Sequence, residues 1–243
     1  MFGLDSLGRL QEMIEARGEE LTSRGLLTLI RDGLDLLNVA YLALHVPPLT
    51  RMHFYSEVTY SDEWVDRYIS QEYVKIDPVM PAAAAGIMPV DWADIDRSSR
   101  AVRDFFADAE AHGVGNQGIT IPIRGANGER AFFSINMQAT PAEWRHFKNQ
   151  NMSILQAIGH FYHNKVLESH GIVFPDVALT PRQKEVLRWA ANGKSIQDTA
   201  IIMQLSRHTV QRYLETTRFR LQAINTVHAV ARAIQLRLID PPE

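Results

Sequence analysis

The sequence predicts an α+β protein in two parts: a larger N-terminal domain with helices packed on an antiparallel sheet, and a small C-terminal domain of four helices. Three observations carry this. Thr140-Pro141-Ala142-Glu143 and Thr180-Pro181-Arg182-Gln183 are capping boxes with proline at the first helical position, so each marks a helix start. Residues 116–124 and 130–139 are strand-like runs flanking Gly125-Ala126-Asn127-Gly128, whose Asn-Gly ending signals a tight hairpin. Charge also divides along the chain, with ten Lys and Arg against five Asp and Glu from Leu179 onward and 15 against 23 before it. An acidic body with a basic tail suggests that the tail faces nucleic acid.

Residues 4–17 and 20–37 carry apolar side chains at helical spacing, the second with a broad stripe of Leu26, Leu27, Leu29, Ile30, Leu34, Leu36 and Leu37. Residues 40–46 and 52–58 read as strands, broken apart by Pro47-Pro48. The hairpin follows. A helix then runs from Pro141 to about residue 167, with Trp144, Phe147, Ile154, Leu155, Ile158 and Phe161 along its stripe. Beyond it no period persists until Leu179, and Gly171 and Pro175 interrupt the chain. The expected organisation is therefore a domain over 1–168, a linker over 169–178 and a second domain over 179–243.

In a chain of 243 residues, 46% hydrophobic and 22% charged residues suit a globular protein with a substantial core. The absence of cysteine excludes disulfides and thiolate metal sites. The N-terminal segment has acids where a signal peptide needs an apolar stretch, and no run reaches the length of a membrane span, so a cytoplasmic protein without membrane association is expected. No GxSxG, P-loop or dinucleotide fingerprint occurs. His160 and His163 are three residues apart, but no third ligand can be placed beside them, and they read as surface histidines. Neither an enzyme nor a cofactor is expected.

In the tail, the helix opened by Thr180 ends at Asn192-Gly193, and a second spans about 195–203 with Ile196, Ala200 and Ile201 available for packing. Ser206 caps a third helix, which has Val210, Leu214, Thr217 and Leu221 on one face and Arg207, His208, Gln211, Arg212, Glu215 and Arg218 on the other. A last helix over about 226–238 would close the bundle through Val227, Val230, Ala231 and Ile234. Two short helices joined by a tight turn, the second polar outside, meet the requirements of a helix-turn-helix. The same face also suits a solvated bundle surface. The tail resembles the DNA-binding domain of LuxR-type regulators through Leu179, Thr180, Pro181, Arg182, Glu185, Leu187, Trp189, Gly193, Lys194, Ser195, Ala200, Ser206, Thr209, Val210, Leu221, Asn225, Ala229, Val230, Ala231 and Ile234. It departs from that pattern at Gln183, Thr199, Tyr213, Thr226 and His228. The resemblance implies DNA contacts from Lys194, Arg207, His208, Thr209, Gln211 and Arg212. Arg reads guanine bidentately, Gln reads adenine, and Lys neutralises phosphate.

Tyr60, Trp64 and Tyr68 recur every four residues, which would put three rings on one side of a helix, either as ordinary core or as the wall of a pocket. With Asp77-Pro78, Trp92, Phe105, Gly113 and Gly118-Ile119-Thr120-Ile121-Pro122, they resemble the acyl-homoserine lactone-binding domain of quorum-sensing receptors, which implies an α-β-α sandwich. By that resemblance Trp64 donates to the lactone carbonyl, Tyr60 donates to the acyl carbonyl, Asp77 accepts from the amide N–H, and Ser134 adds a polar contact. Tyr68, Trp92, Phe105, Ala109 and Val114 form the apolar wall. Phe132 and Phe133, beside Ser134, are expected to limit the acyl chain to something short, branched or aromatic.

The resulting expectation is a ligand-gated homodimer that reads an inverted-repeat promoter element and engages RNA polymerase, with helix 141–167 as the dimer seam. The rivals are an orphan sensor of another metabolite and a lactone-processing enzyme.

Overall fold

A computed structural model describes residues 22–46, 54–125, 128–172 and 177–242. The expected helix over 4–17 and the Pro47-Pro48 break lie outside the described residues. The chain divides into two compact units, the first comprising 1–124 and 129–173, and the second 125–128 and 174–243.

The first unit is built on a five-stranded antiparallel sheet. Strands β1 (Asn38–His45), β2 (Tyr55–Val58), β3 (Val90–Asp91), β4 (Gln117–Arg124) and β5 (Arg130–Met137) are ordered β2-β1-β5-β4-β3. The hairpin read from Asn127-Gly128 is the β4–β5 pair, closed by Arg124 opposite Arg130. Successive side chains of a strand point to opposite faces, and β4 is buried along nearly its whole length, so both faces of the sheet are covered. One face carries Val39, Tyr41, Ala43, Ile119, Ile121, Ile123, Phe133 and Ile135. Against it pack helices α1 (Ser23–Gly33) and α5 (Pro141–Ser169), forming the main core. The other face is covered by α2 (Asp62–Ser70), α3 (Val79–Ala85) and α4 (Arg100–Ala111), with a second apolar cluster of its own. The arrangement is an α-β-α sandwich.

Three expectations about this unit need correction. The helix placed over 20–37 stops at Gly33, because Asp35 takes a left-handed φ of 51° and turns the chain toward β1, leaving Leu37 exposed. Phe161 is not on the buried stripe of α5; Tyr162 and Val166 are, and Phe161 faces outward with the Lys165 ammonium near its ring. His163 is not a surface histidine. It is buried, with Nδ1 2.7 Å from the Tyr41 hydroxyl, and burial lowers its pKa.

The second unit contains α6 (Pro181–Ala191), α7 (Ile196–Met203), α8 (Arg207–Arg220) and α9 (Thr226–Gln235). Gln183 completes the capping box with Thr180, its Oε1 accepting from the Thr180 amide. On α7, Ala200 and Met203 are the buried apolar positions, and Ile201 is exposed instead of packed. Val210, Leu214, Thr217 and Leu221 form the buried side of α8, as their spacing predicts. The last helix differs from expectation. Ala229 and Ala233 are its fully buried positions, with Val230 and Ile234 beside them, while Val227 and Ala231 are exposed.

The edge of the sheet is tied to α5 at Asp91, which accepts from Trp144 Nε1 at 3.1 Å and from the Lys148 ammonium. Burial alone would raise the Asp91 pKa, but the Lys148 and Trp144 donors and the Ala93 amide outweigh it, and the net shift is downward. A depressed folded-state pKa contributes stability above the unfolded value, about 3.9, and that contribution disappears as pH falls through the folded value. Asp91→Asn is therefore expected to cost about 1–3 kcal/mol at neutral pH and to flatten the acid limb of the stability profile. Urea unfolding followed from about pH 7 to about pH 3 checks this, and an unchanged acid limb would count against the assignment.

Candidate ligand pocket and nucleic-acid interface

The second cluster of the sandwich gathers the residues marked in the sequence. Trp64, Val79, Trp92, Phe105, Ala109 and Val114 are its buried members, and Tyr60, Tyr68, Tyr73, Ile76, Ile95 and Phe106 pack at its margin. The rings meet mainly edge-on or tilted: Trp64 lies 6.0 Å from Tyr68, 5.8 Å from Tyr73 and 6.2 Å from Phe105, centre to centre. Tyr60 reaches the cluster by a route the spacing did not suggest. It precedes Ser61, the N-cap of α2, so only Trp64 and Tyr68 of the trio stand on the helix.

Trp92 lies flat on the sheet over Gly118, where any Cβ would overlap its indole ring. Its Nε1 donates to Thr120 Oγ1 at 3.0 Å, and Thr120 Oγ1 is 2.8 Å from Ser134 Oγ. Trp92 is thus an orienting donor as well as wall. Ser134 shares its face of β5 with Phe132, which borders a cleft of about 380 Å³ together with Leu44, Ala84, Arg124 and Arg130. Phe133 points the other way, into the main core against Gly159 and Tyr162. It therefore cannot shape this pocket, which corrects its pairing with Phe132.

Polar groups in the cluster have distinct assignments. Tyr68 also exceeds the role of apolar wall, because its hydroxyl donates to Asp77 Oδ2 at 3.0 Å. Asp77 Oδ1 accepts from the Val79 amide at 2.8 Å, holding the start of α3. Burial raises the Asp77 pKa, opposed by those two hydrogen bonds and by the Met80 amide. Burial first and the Asp77 carboxylate second hold the Tyr60 phenol far above its ordinary pKa, so it keeps its proton. The Tyr60 oxygen accepts from Asn136 Nδ2 at 3.2 Å, a contact with no signal in the sequence because the two residues are 76 positions apart. Among the described residues, neither the Tyr60 O–H nor the Trp64 indole N–H donates to a protein acceptor. The cluster thus offers two donors and a carboxylate acceptor inside an aromatic enclosure. No group of histidines and acids among the described residues could hold a metal ion.

In the second unit, α7 and α8 are joined through Gln204, which takes a left-handed φ of 54°, and Leu205. Ser206 caps α8 by accepting from the Thr209 amide at 3.0 Å, and the Thr209 hydroxyl is 2.8 Å from Ser206 Oγ. Arg207, His208, Gln211 and Arg212 are exposed on the first two turns of α8, while Lys194 is exposed in the turn before α7. Gln211 Nε2 is 3.0 Å from Glu215 Oε1. Arg218 leaves this face: it turns toward the Ile224 carbonyl, with its Nε buried. A helix presenting this set beside a capped turn has the form of a recognition helix.

Comparison with known proteins agrees with both halves. Residues 22–166 match the autoinducer-binding domain model, and residues 177–233 match the model for bacterial regulatory proteins of the luxR family. The transcriptional activator protein RaiR of Rhizobium etli is 34% identical over 171 residues, covering 70% of this chain and 71% of RaiR. The HTH-type quorum sensing-dependent transcriptional regulator VjbR of Brucella ovis is 32% identical over 193 residues, covering 76% and 74%. The crystal structure of Escherichia coli SdiA superposes with a TM-score of 0.62 at 20% identity, over 96% of this chain and 98% of that one, which is a likeness of fold.

Because the Trp92 ring rests on the backbone of residue 118, Gly118→Ala must push it off the sheet. The expected result is a loss of about 1–3 kcal/mol in unfolding free energy with a changed tryptophan emission spectrum. Unchanged stability and emission would show that the ring has room to spare.

Proposed function

The chain belongs to the LuxR family of bacterial regulators, with an autoinducer-binding domain preceding its helix-turn-helix, and on that premise we propose that its autoinducer is an acyl-homoserine lactone. It is a quorum-sensing transcriptional regulator and not an enzyme. No helix among the described residues is long and apolar enough to cross a membrane.

One observation carries the choice of ligand: the aromatic cluster presents two unspent donors, Tyr60 O–H and Trp64 N–H, beside the Asp77 carboxylate. A lactone amide has two carbonyl acceptors and one N–H, the complement of that set. In this reading Trp64 donates to the lactone carbonyl, Tyr60 to the acyl carbonyl, and Asp77 accepts from the amide. Tyr68 keeps the Asp77 carboxylate in place while lining the wall with Trp92, Phe105, Ala109 and Val114. The acyl chain passes Ser134 toward Phe132 and the neighbouring cleft, and the bulk of Phe132 favours a short, branched or aromatic acyl group.

Two copies of the second unit then read an inverted repeat in DNA. One recognition helix covers few base pairs, and two-fold pairing doubles the readout. Arg207, His208, Gln211 and Arg212 face the bases, Lys194 neutralises phosphate, and Thr209 holds the helix start. Helix α5 is the proposed dimer seam, and RNA polymerase is the partner at the promoter.

Bound lactone adds a further donor to a desolvated Asp77 carboxylate, so ligand should stabilise the fold. The melting temperature is expected to rise with a lactone drawn from a panel of short, branched, aromatic and long straight acyl groups. A midpoint indifferent to every member at saturation would refute the ligand assignment, and tightest binding of long straight chains would refute the role of Phe132. Asp77→Ala should lose about 1–3 kcal/mol of ligand affinity while DNA binding by the tail persists. Arg212→Ala should weaken DNA binding and leave lactone affinity unchanged; unaltered DNA affinity at physiological salt would remove Arg212 from the reading face.

A further inference from the structure

The hydrogen bond that reaches the Tyr60 hydroxyl is the last of a chain whose directions are all fixed. Asn136 is fully buried on β5, two residues beyond Ser134 on the same face of the sheet. Its Oδ1 is 3.2 Å from the Gly115 amide, a backbone donor that cannot be reversed. Its Oδ1 is also 3.1 Å from Asn38 Nδ2. Asn38 is fixed in turn, because the same Nδ2 donates to the Gly113 carbonyl at 3.0 Å. Two backbone groups, one N–H and one C=O, therefore determine which end of each amide faces which way. With its oxygen committed to those donors, Asn136 turns its NH₂ to the Tyr60 hydroxyl.

The loop that supplies both anchors is itself constrained. Gly113 has a φ of +82°, and a Cβ at Gly115 would overlap the backbone of Met137. Val114, between them, is one of the buried residues of the aromatic cluster. The loop that contributes a piece of pocket wall thus also sets the amide pair.

We propose that Asn136, oriented by Asn38 and the backbone of Gly113 and Gly115, is a positioning residue that makes Tyr60 a donor toward the pocket and so selects ligands presenting a carbonyl acceptor there. The phenol oxygen receives the Asn136 N–H, and its own proton is left to the ligand. A pocket without Asn136 would let the hydroxyl rotate or accept as well as donate. The inference deepens the lactone reading and rests on it only for the identity of the carbonyl, because the orientation of Tyr60 is set within the protein.

The test uses the full chain and two readouts. Asn136→Asp replaces the NH₂ by a second acceptor, which should capture the Tyr60 proton; Asn136→Ala removes the donor together with the acceptor of the Gly115 amide and Asn38, and buries no charge. In the ligand-free protein, the ultraviolet resonance Raman difference between each form and its Tyr60→Phe counterpart isolates the Tyr60 phenol. It should report an accepting hydroxyl in the wild-type chain and a strongly donating one in the Asn136→Asp variant. Titration with N-hexanoyl-homoserine lactone should show a loss of roughly five- to tenfold in affinity for either Asn136 variant, and no further loss when Tyr60 is already replaced by Phe. An identical loss in both backgrounds, or a Tyr60 signal insensitive to Asn136→Asp, overturns the proposal. If wild type fails to bind the lactone while the Raman signal switches as expected, the lactone reading falls and the positioning of Tyr60 stands.

Discussion

The two central strands must serve two interiors at once. Because β4 and β5 are covered on both sides, their odd-numbered residues fill the main core against α1 and α5, while the even-numbered residues floor the aromatic cluster. Side chains alternate by geometry and not by choice, so a slip of one residue would send Ile119, Ile121, Phe133 and Ile135 into the cluster and the polar Thr120, Ser134 and Asn136 into the core. The register is held by the short hairpin at one end and by the amide pair of Asn38 and Asn136 at the other. Everything placed above the sheet inherits its position from that register, including Trp92 over Gly118 and Tyr60 over Asn136.

The aromatic cluster combines two requirements that ordinarily conflict. Rings of Trp64, Tyr68, Tyr73 and Phe105 exclude water well enough to raise the cost of charge on Asp77. Yet the Asp77 carboxylate among them is held by Tyr68 and the Val79 amide, and among the described residues the Tyr60 O–H and the Trp64 N–H have no protein acceptor. Low local polarity strengthens a well-aimed hydrogen bond and penalises a missing one. Such a site discriminates by the pattern of donors and acceptors more than by area.

How much of this was legible depended on the range of the interaction involved. Both capping boxes, the Ser206 cap and the β4–β5 hairpin are local, and the structure has them where the residues indicated. The buried face of α8 followed from its period because a bundle core imposes that period. Errors arose where a local cap overrode a regular spacing, or a tertiary contact overrode an apolar stripe. The regular spacing of Tyr60, Trp64 and Tyr68 suggested one helix, but Ser61 caps α2 after Tyr60. Val227 fits an apolar stripe yet lies exposed, because the small Ala229 and Ala233 let α9 approach its neighbours closely. The two-residue strand β3 has no pattern long enough to read. Asn136 was invisible for a further reason: a buried amide in a strand carries no motif, and its partners lie 21, 76 and 98 positions away.

Phe132 and Phe133 are adjacent in the chain but belong to different compartments. Neighbouring codons on β5 are consequently exposed to different selection. Changes at 132, 134 and 136 alter the face of the strand under the aromatic cluster, whereas changes at 131, 133 and 135 alter the main core. A lineage acquiring a new signal can therefore explore one side of a single strand by point substitution while the other side keeps the domain folded. Freedom to change the signal and the obligation to keep the fold are interleaved at every second residue.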